Sequence, residues 1–157
     1  MQLKKYKVCY LDEMISLFYD TVHFINSKDY TKKQIDAWAP EDTDAMKWNE
    51  KFLNSYTIIA FQDEKIIGFG NIDDSGYLDM LYVHKNYQNQ KIASVICDNL
   101  EKYFYDNVLC DKKPFITVHS SITAKGFFKK RGYIPIKKQK VTRKGQLLVN
   151  FIMKKTF

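Results

Sequence analysis

Apolar residues open the chain at helical spacing. Leu11, Met14, Ile15, Phe18, Val22 and Ile25 recur every three or four positions and stop at Asn26-Ser27, which predicts a helix with one buried face. Ahead of it, Leu3 to Val8 predicts a short edge strand whose lysines discourage edge-to-edge association. Thr31 with Gln34 three residues on predicts the capping box of a second helix. Pro40 breaks that helix, and a further helical piece is expected over Thr43 to Leu53.

From Tyr56 the period changes. Tyr56 to Phe61 is an apolar run rich in β-branched residues, Asp63-Glu64 a turn, Lys65 to Ile72 a second strand, Asp73 to Gly76 a second turn, and Tyr77 to Val83 a third strand. Three consecutive strands read as an antiparallel meander. Gly68 and Gly70 weaken the middle strand, so close approach by another element is expected there.

Ile92, Val95, Ile96, Leu100, Tyr103 and Phe104 then return to helical spacing. The first turn of such a helix leaves N–H groups without intrahelical partners. With the positive end of the helix dipole they form an anion site over Asn89 to Ser94. Pro114 to Val118 predicts a strand ending in His119-Ser120-Ser121. Ser121 or Thr123 is placed to cap a helix carrying Ala124, Phe127 and Phe128 as far as Gly132. Tyr133 to Ile136 and Leu147 to Met153 are the last strands, with the basic stretch between them, including Gly145, expected as a hairpin loop. A strand, a crossover helix and another strand imply a parallel pair at Tyr77 and Pro114. The expected fold class is therefore α/β (α+β), with a mixed, mostly antiparallel central sheet flanked by helices.

Two motifs carry a family resemblance. Val83-x-x-x-Tyr87-Gln88-x-x-x-Ile92-Ala93, on a strand-to-helix junction, resembles the acetyl-CoA signature of the GCN5-related N-acetyltransferases (GNAT). Gln88 and Ala93 fit the pattern, whereas Lys91 stands where the family has its first glycine. Ser121-x-x-Ala124-x-x-Phe127-Phe128-Lys129-Lys130-x-Gly132-Tyr133 resembles the second landmark of the same family, and the order of elements agrees. Tyr30-Thr31-x-x-Gln34-x-x-Ala37-Trp38-Ala39-Pro40 resembles a signature of its YafP-like branch. The resemblance implies the acyl-CoA N-acyltransferase fold and transfer of an acetyl group from acetyl-CoA to a primary amine by direct attack. It implies cofactor contacts from Leu81, Tyr82, Val83, Gln88, Asn89, Gln90, Lys91, Ile92, Ala93, Ser94 and Phe127. A helical φ is expected to make Lys91 tolerable, with its ammonium reaching a phosphate; the alternative is that Lys91 weakens cofactor binding.

The same resemblance directs attention to the reacting groups. Asp79 shares strand parity with Leu81 and Val83, so it is expected to face the cleft as general base unless a bulge resets the alternation. His119, at the end of the neighbouring strand, is the alternative base or a substrate contact. The family commonly places an acidic Tyr at the position of Phe128, which has no proton to give. Trp38 and His23 are candidate substrate contacts; each is otherwise read as a packing residue.

At 157 residues, with 45% hydrophobic and 15% aromatic content, one domain is expected, and the resemblance implies that it is an acetyltransferase domain spanning residues 1–157. A formal charge of +7 favours anionic partners, a phosphorylated cofactor among them. A nucleic-acid-binding module is the weaker reading, because the aromatics that would stack on bases fall on buried periods. A degenerate fold that binds acyl-CoA or a partner without catalysis is the other alternative. Cys9, Cys97 and Cys110 lack metal-ligand spacing and no metal is expected. The absence of a signal-peptide core or a membrane-length apolar run predicts a soluble, cytoplasmic protein. Neither the acceptor amine nor a homodimeric assembly is decided by the sequence.

Overall fold

The Leu11 pattern forms helix α1 (Leu11–Phe24), burying Met14, Leu17, Phe18, Thr21 and Val22 along one stripe. The capping box closes α2 (Lys32–Trp38): the Thr31 hydroxyl accepts the Gln34 N–H at 3.2 Å, and the Gln34 side chain accepts the Thr31 N–H at 2.8 Å. Helix α3 (Ala45–Leu53) follows, capped by Asp44. The computed structural model describes all 157 residues, and sets these helices against one sheet.

That sheet contains β1 (Gln2–Lys5), β2 (Tyr56–Gln62), β3 (Lys65–Ile72), β4 (Tyr77–Val83), β5 (Phe115–Ser121), β6 (Ile134–Arg143) and β7 (Gln146–Thr156), in the spatial order β1-β2-β3-β4-β5-β7-β6. All pairs are antiparallel except β4 with β5, which are joined by helix α4 (Ile92–Asn107). The short helix α5 (Lys125–Lys130) links β5 to β6, and the Ser121 hydroxyl accepts the Ala124 N–H ahead of it at 3.1 Å. The fold is thus the mixed, mostly antiparallel α/β class expected.

Each face of the sheet has its own core. Helix α4 covers one, with Ile96, Leu100 and Phe104 packed on Ile58, Ile72 and Leu78. Helices α1 to α3 cover the other, with Met14, Phe18 and Phe52 packed on Ile59, Phe61 and Phe69. The glycines of β3 let α4 approach: a Cβ at Gly70 would lie 2.9 Å from Ile96 Cγ2, and one at Gly68 3.0 Å from Ile96 Cδ1. Glu101, buried on α4, accepts hydrogen bonds from Arg131, Tyr133 and Lys155 and so ties α4 to the elements after β5. Cys97 is fully buried, and that burial pushes its thiol up to about 12.

Two boundaries differ from expectation. The basic stretch is not a loop: β6 and β7 run through it, and only Lys144 and Gly145, with φ of 43° and 79°, make the turn. Strand β6 is an exposed edge that pairs only with β7, so lysines are compatible with it and no apolar alternation marks it. The first strand is correspondingly shorter than Leu3 to Val8, because Val8 to Tyr10 already turn into α1.

Candidate active site

Strands β4 and β5 part almost as soon as they meet. Their register holds only at Tyr77 with Thr117 and Leu78 with Val118, although β4 continues to Val83 and β5 to Ser121. Beyond Leu78 the edge of β4 facing β5 has no strand partner. The ladder with β3, in which His84 donates to Ile67, fixes the alternation and turns the N–H groups of Leu81 and Val83 toward the opening. The carbonyl of Val83 is already taken there, accepting from the Thr21 hydroxyl at 2.9 Å and the Gln88 amide at 2.7 Å. A cleft of about 740 Å³ fills the gap, bounded by β4, the start of α4, β5 and α5.

The start of α4 closes one end. No side chain caps it, so the N–H groups of Ile92, Ala93 and Ser94 are free to meet an anion. The expected helical φ at Lys91 is not what forms. Lys91 has φ 63° and Asn89 φ 59°, because the chain must reverse sharply between the strand and a helix whose first turn faces the cleft. Lys91 therefore keeps the left-handed backbone that a glycine would adopt without strain. Its ammonium, with those of Lys28 and Lys130, belongs to residues lining the cleft, and none of the three is ion-paired.

A second cavity of about 450 Å³ lies on the face covered by α1 to α3, under Trp38 and Trp48 and bordered by the β6–β7 turn. The two cavities share Trp38, Asp79, Tyr82, His119 and Ser121. Asp79 sits at a bulge: Asn71 pairs with Met80 and Ile72 with Leu78, which leaves Asp79 unopposed. The bulge resets the alternation, so Asp79 turns to the side of Met80 and Tyr82 rather than that of Leu81 and Val83. There its carboxylate meets Lys51 of α3 at 2.9 Å. His119 is exposed beside Tyr77, ring centroids 5.0 Å apart. Desolvation chiefly, with Arg143 adding and Asp79 opposing, lowers its imidazole from the ordinary value. Desolvation also pushes the Tyr77 hydroxyl up to about 12.

This geometry has relatives. The family model described as the acetyltransferase (GNAT) domain matches residues 26–156. The chain belongs to the GNAT acetyltransferase family. It is 30% identical over 154 residues to the uncharacterized N-acetyltransferase YafP of Escherichia coli (strain K12), covering 98% of this chain and 95% of that one. A GCN5-related N-acetyltransferase structure from Rhodopseudomonas palustris superimposes with a TM-score of 0.93 at 28% identity, covering 99% and 95% of the two chains. The PaiA N-acetyltransferase of Thermoplasma acidophilum, solved in complex with coenzyme A, shares the fold with a TM-score of 0.78 at 18% identity over 99% and 98%.

Within this GNAT fold the residues singled out from sequence separate cleanly. Leu81, Tyr82, Val83, Gln88, Asn89, Lys91, Ile92, Ala93, Ser94 and Phe127 line the cleft, whereas Gln90 is exposed outside it. Trp38 lies at the junction, packed edge-on against Tyr30. His23 touches neither cavity: it stacks on Tyr19 and its Nε2 meets the Ala39 carbonyl at 2.8 Å, a packing role between α1 and α2. Thr21, which lines the cleft, and Lys51, Arg143 and Asn150, which line the second cavity, went unrecognised in the sequence. A signal existed for Thr21 alone, a polar residue on the otherwise apolar stripe of α1.

Proposed function

We propose that this protein moves the acetyl group of acetyl-CoA to a primary amine by direct attack in a ternary complex. The observation that carries this reading is the meeting of two cavities at Trp38, Asp79, Tyr82, His119 and Ser121. One cavity suits a long polyanion with a polar arm, and the other a smaller acceptor. The free N–H groups at the start of α4, with Lys28, Lys91 and Lys130, would hold phosphates. The unpaired edge of β4 would hold the arm, and the small Ala93 leaves the first turn of α4 accessible.

The amine must be neutral before it attacks the thioester. Asp79 has its charge answered by Lys51, so it serves best to orient the incoming ammonium. His119, whose imidazole desolvation lowers from the ordinary value, is the group free to take the proton, directly or through one water. As the N–C bond forms and the C–S bond breaks, charge passes through the carbonyl oxygen, for which the N–H groups of Leu81 and Val83, turned toward the opening, would be backbone donors. The departing thiolate takes a proton from water. A thiol with a pKa of roughly 8.5 needs no strong acid, which makes Phe128 acceptable where the family commonly has Tyr.

A thiol-release assay with acetyl-CoA and a panel of amines tests the reading, with coenzyme A calorimetry beside it. Coenzyme A binding with acetyl transfer to at least one amine is the expected result. Binding without transfer to any acceptor would favour the non-catalytic alternative, and no binding would reject both.

A further inference from the structure

The smaller cavity carries a specific charge pattern. Of its acidic residues, Asp79 is paired with Lys51 at 2.9 Å, Asp42 with Lys144 at 2.9 Å, and Asp44 accepts the Lys47 N–H as the cap of α3. Both lysines of the lining are therefore spoken for. Arg143 is not: its one hydrogen bond, at 3.3 Å, goes to the carbonyl of its neighbour Thr142.

Register places that cation over the cavity. Val141 is opposite Leu148 and Gln139 opposite Asn150 across β6 and β7, so Val141, Arg143, Leu148 and Asn150 share one face. It is the face that α1 to α3 cover, since Leu148 is buried in that core. The guanidinium field reaches the junction: it opposes the upward push of burial on Tyr77 and Tyr82 and adds to the downward push of burial on His119.

Asn150 is a second unanswered group. Its Oδ1 is buried with no hydrogen-bond partner, an arrangement that costs stability unless a ligand supplies a donor. Asn150 is paired in register with Ser121, one of the residues shared by the two cavities, so the missing donor belongs near the reacting amine. The lining also includes Trp38, Trp48, Tyr77 and Val141, which give the cavity aromatic and apolar surface.

Resting on the acetyltransferase reading above, we propose that the acceptor is a small amino acid with an apolar side chain, its amine held at Asn150 and its carboxylate by Arg143. A planar guanidinium matches a carboxylate through two parallel hydrogen bonds. One free cation balances one carboxylate and would leave a phosphate dianion half-compensated. At about 450 Å³ the cavity falls near the small end of ligand sites, which run from roughly 300 to 1,000 Å³, and this size suits a free small molecule.

The test pairs aromatic and aliphatic L-amino acids with their decarboxylated amines and their carboxamides, plus phosphoethanolamine. It reads thiol release with acetyl-CoA, and acceptor binding to the coenzyme A complex by calorimetry. The carboxylated member of each pair should have kcat/KM about tenfold or more above its partners, as expected for a charge-assisted bidentate contact. Arg143→Ala should remove that advantage through KM with kcat nearly unchanged, Arg143→Lys should restore part of it, and Lys138→Ala, which removes the same charge from the opposite face of β6, should do nothing.

Equal turnover of acids and amines, equal losses for both on Arg143→Ala, or preference for phosphoethanolamine would overturn the inference. Carboxylate-dependent binding that is lost in Arg143→Ala, without any acetyl transfer, would uphold the amino-acid site and reject the catalytic reading. Absence of both would reject the two together.

Discussion

At the scale of single residues, His119 offers the clearest pH signature. Its imidazole is lowered by desolvation, then raised by Asp79 and lowered by Arg143, so a base at this position loses activity only as pH falls below the ordinary histidine value of about 6.5. His119→Gln should cut kcat by about 10²-fold or more and abolish that acid limb, with coenzyme A affinity preserved. Removing the Asp79 charge, as in Asp79→Asn, should move the limb to still lower pH and raise the acceptor KM. A limb that vanishes in Asp79→Asn and survives in His119→Gln would make Asp79 the base. Lys91 separates strain from binding in a different way. Lys91→Gly relieves a left-handed backbone and should raise stability by about 1 kcal/mol, readable as a rise in Tm of about 2–4 °C for a chain of this size. It should at the same time weaken coenzyme A binding at low salt. A variant that gains stability and loses no affinity would remove Lys91 from the phosphate site.

Among the elements, α4 and β3 act as one unit, and the contact is open to test. Gly70→Val places a branched side chain where even a Cβ would lie 2.9 Å from Ile96 and 3.0 Å from the Met80 carbonyl. Overpacking of this kind costs roughly 1–3 kcal/mol and should lift α4, weakening coenzyme A binding in step with stability. Ala93→Trp, by contrast, fills the cleft from a half-buried position on its wall and should abolish coenzyme A binding with Tm within a few degrees of wild type. Equal effects of the two substitutions on stability would show that α4 is not wedged against β3 as described. These elements were legible in advance because each rests on a local signal: the stripe of α1, the Thr31–Gln34 box, the paired glycines of β3 and the strand-to-helix motif before α4. What escaped was set by pairing over distance. The bulge at Asp79 depends on how β4 settles against β3, the length of β6 depends on β7, and the left-handed backbone of Lys91 depends on the angle at which α4 must leave the cleft. Lys51, Arg143 and Asn150 come from three separate elements, and no spacing in the chain relates them.

For the molecule as a whole, the charge of +7 should make coenzyme A binding salt-sensitive, because long-range attraction between cation-rich surfaces and a polyanion is screened beyond roughly 8 Å at physiological ionic strength. Saturating coenzyme A, at about 100 times its Kd, should stabilise the fold by about 2.7 kcal/mol. An increase in Tm that disappears in Ala93→Trp would assign that stabilisation to the cleft. No helix is long and apolar enough to cross a membrane.

The early parting of β4 from β5 also makes β4 an unusual strand. By position it is central, fourth of seven, yet along half its length it is bonded on one side only, as a rim strand is. Its amides should therefore exchange with deuterated solvent in an odd–even pattern. Tyr82, locked into the β3 ladder opposite Phe69, should hold its hydrogen, while Leu81 and Val83 on either side of it give theirs up quickly. Coenzyme A, lying along the gap, should slow those two and leave Tyr82 as it was. The ligand would then read, amide by amide, as the strand that the sheet leaves out.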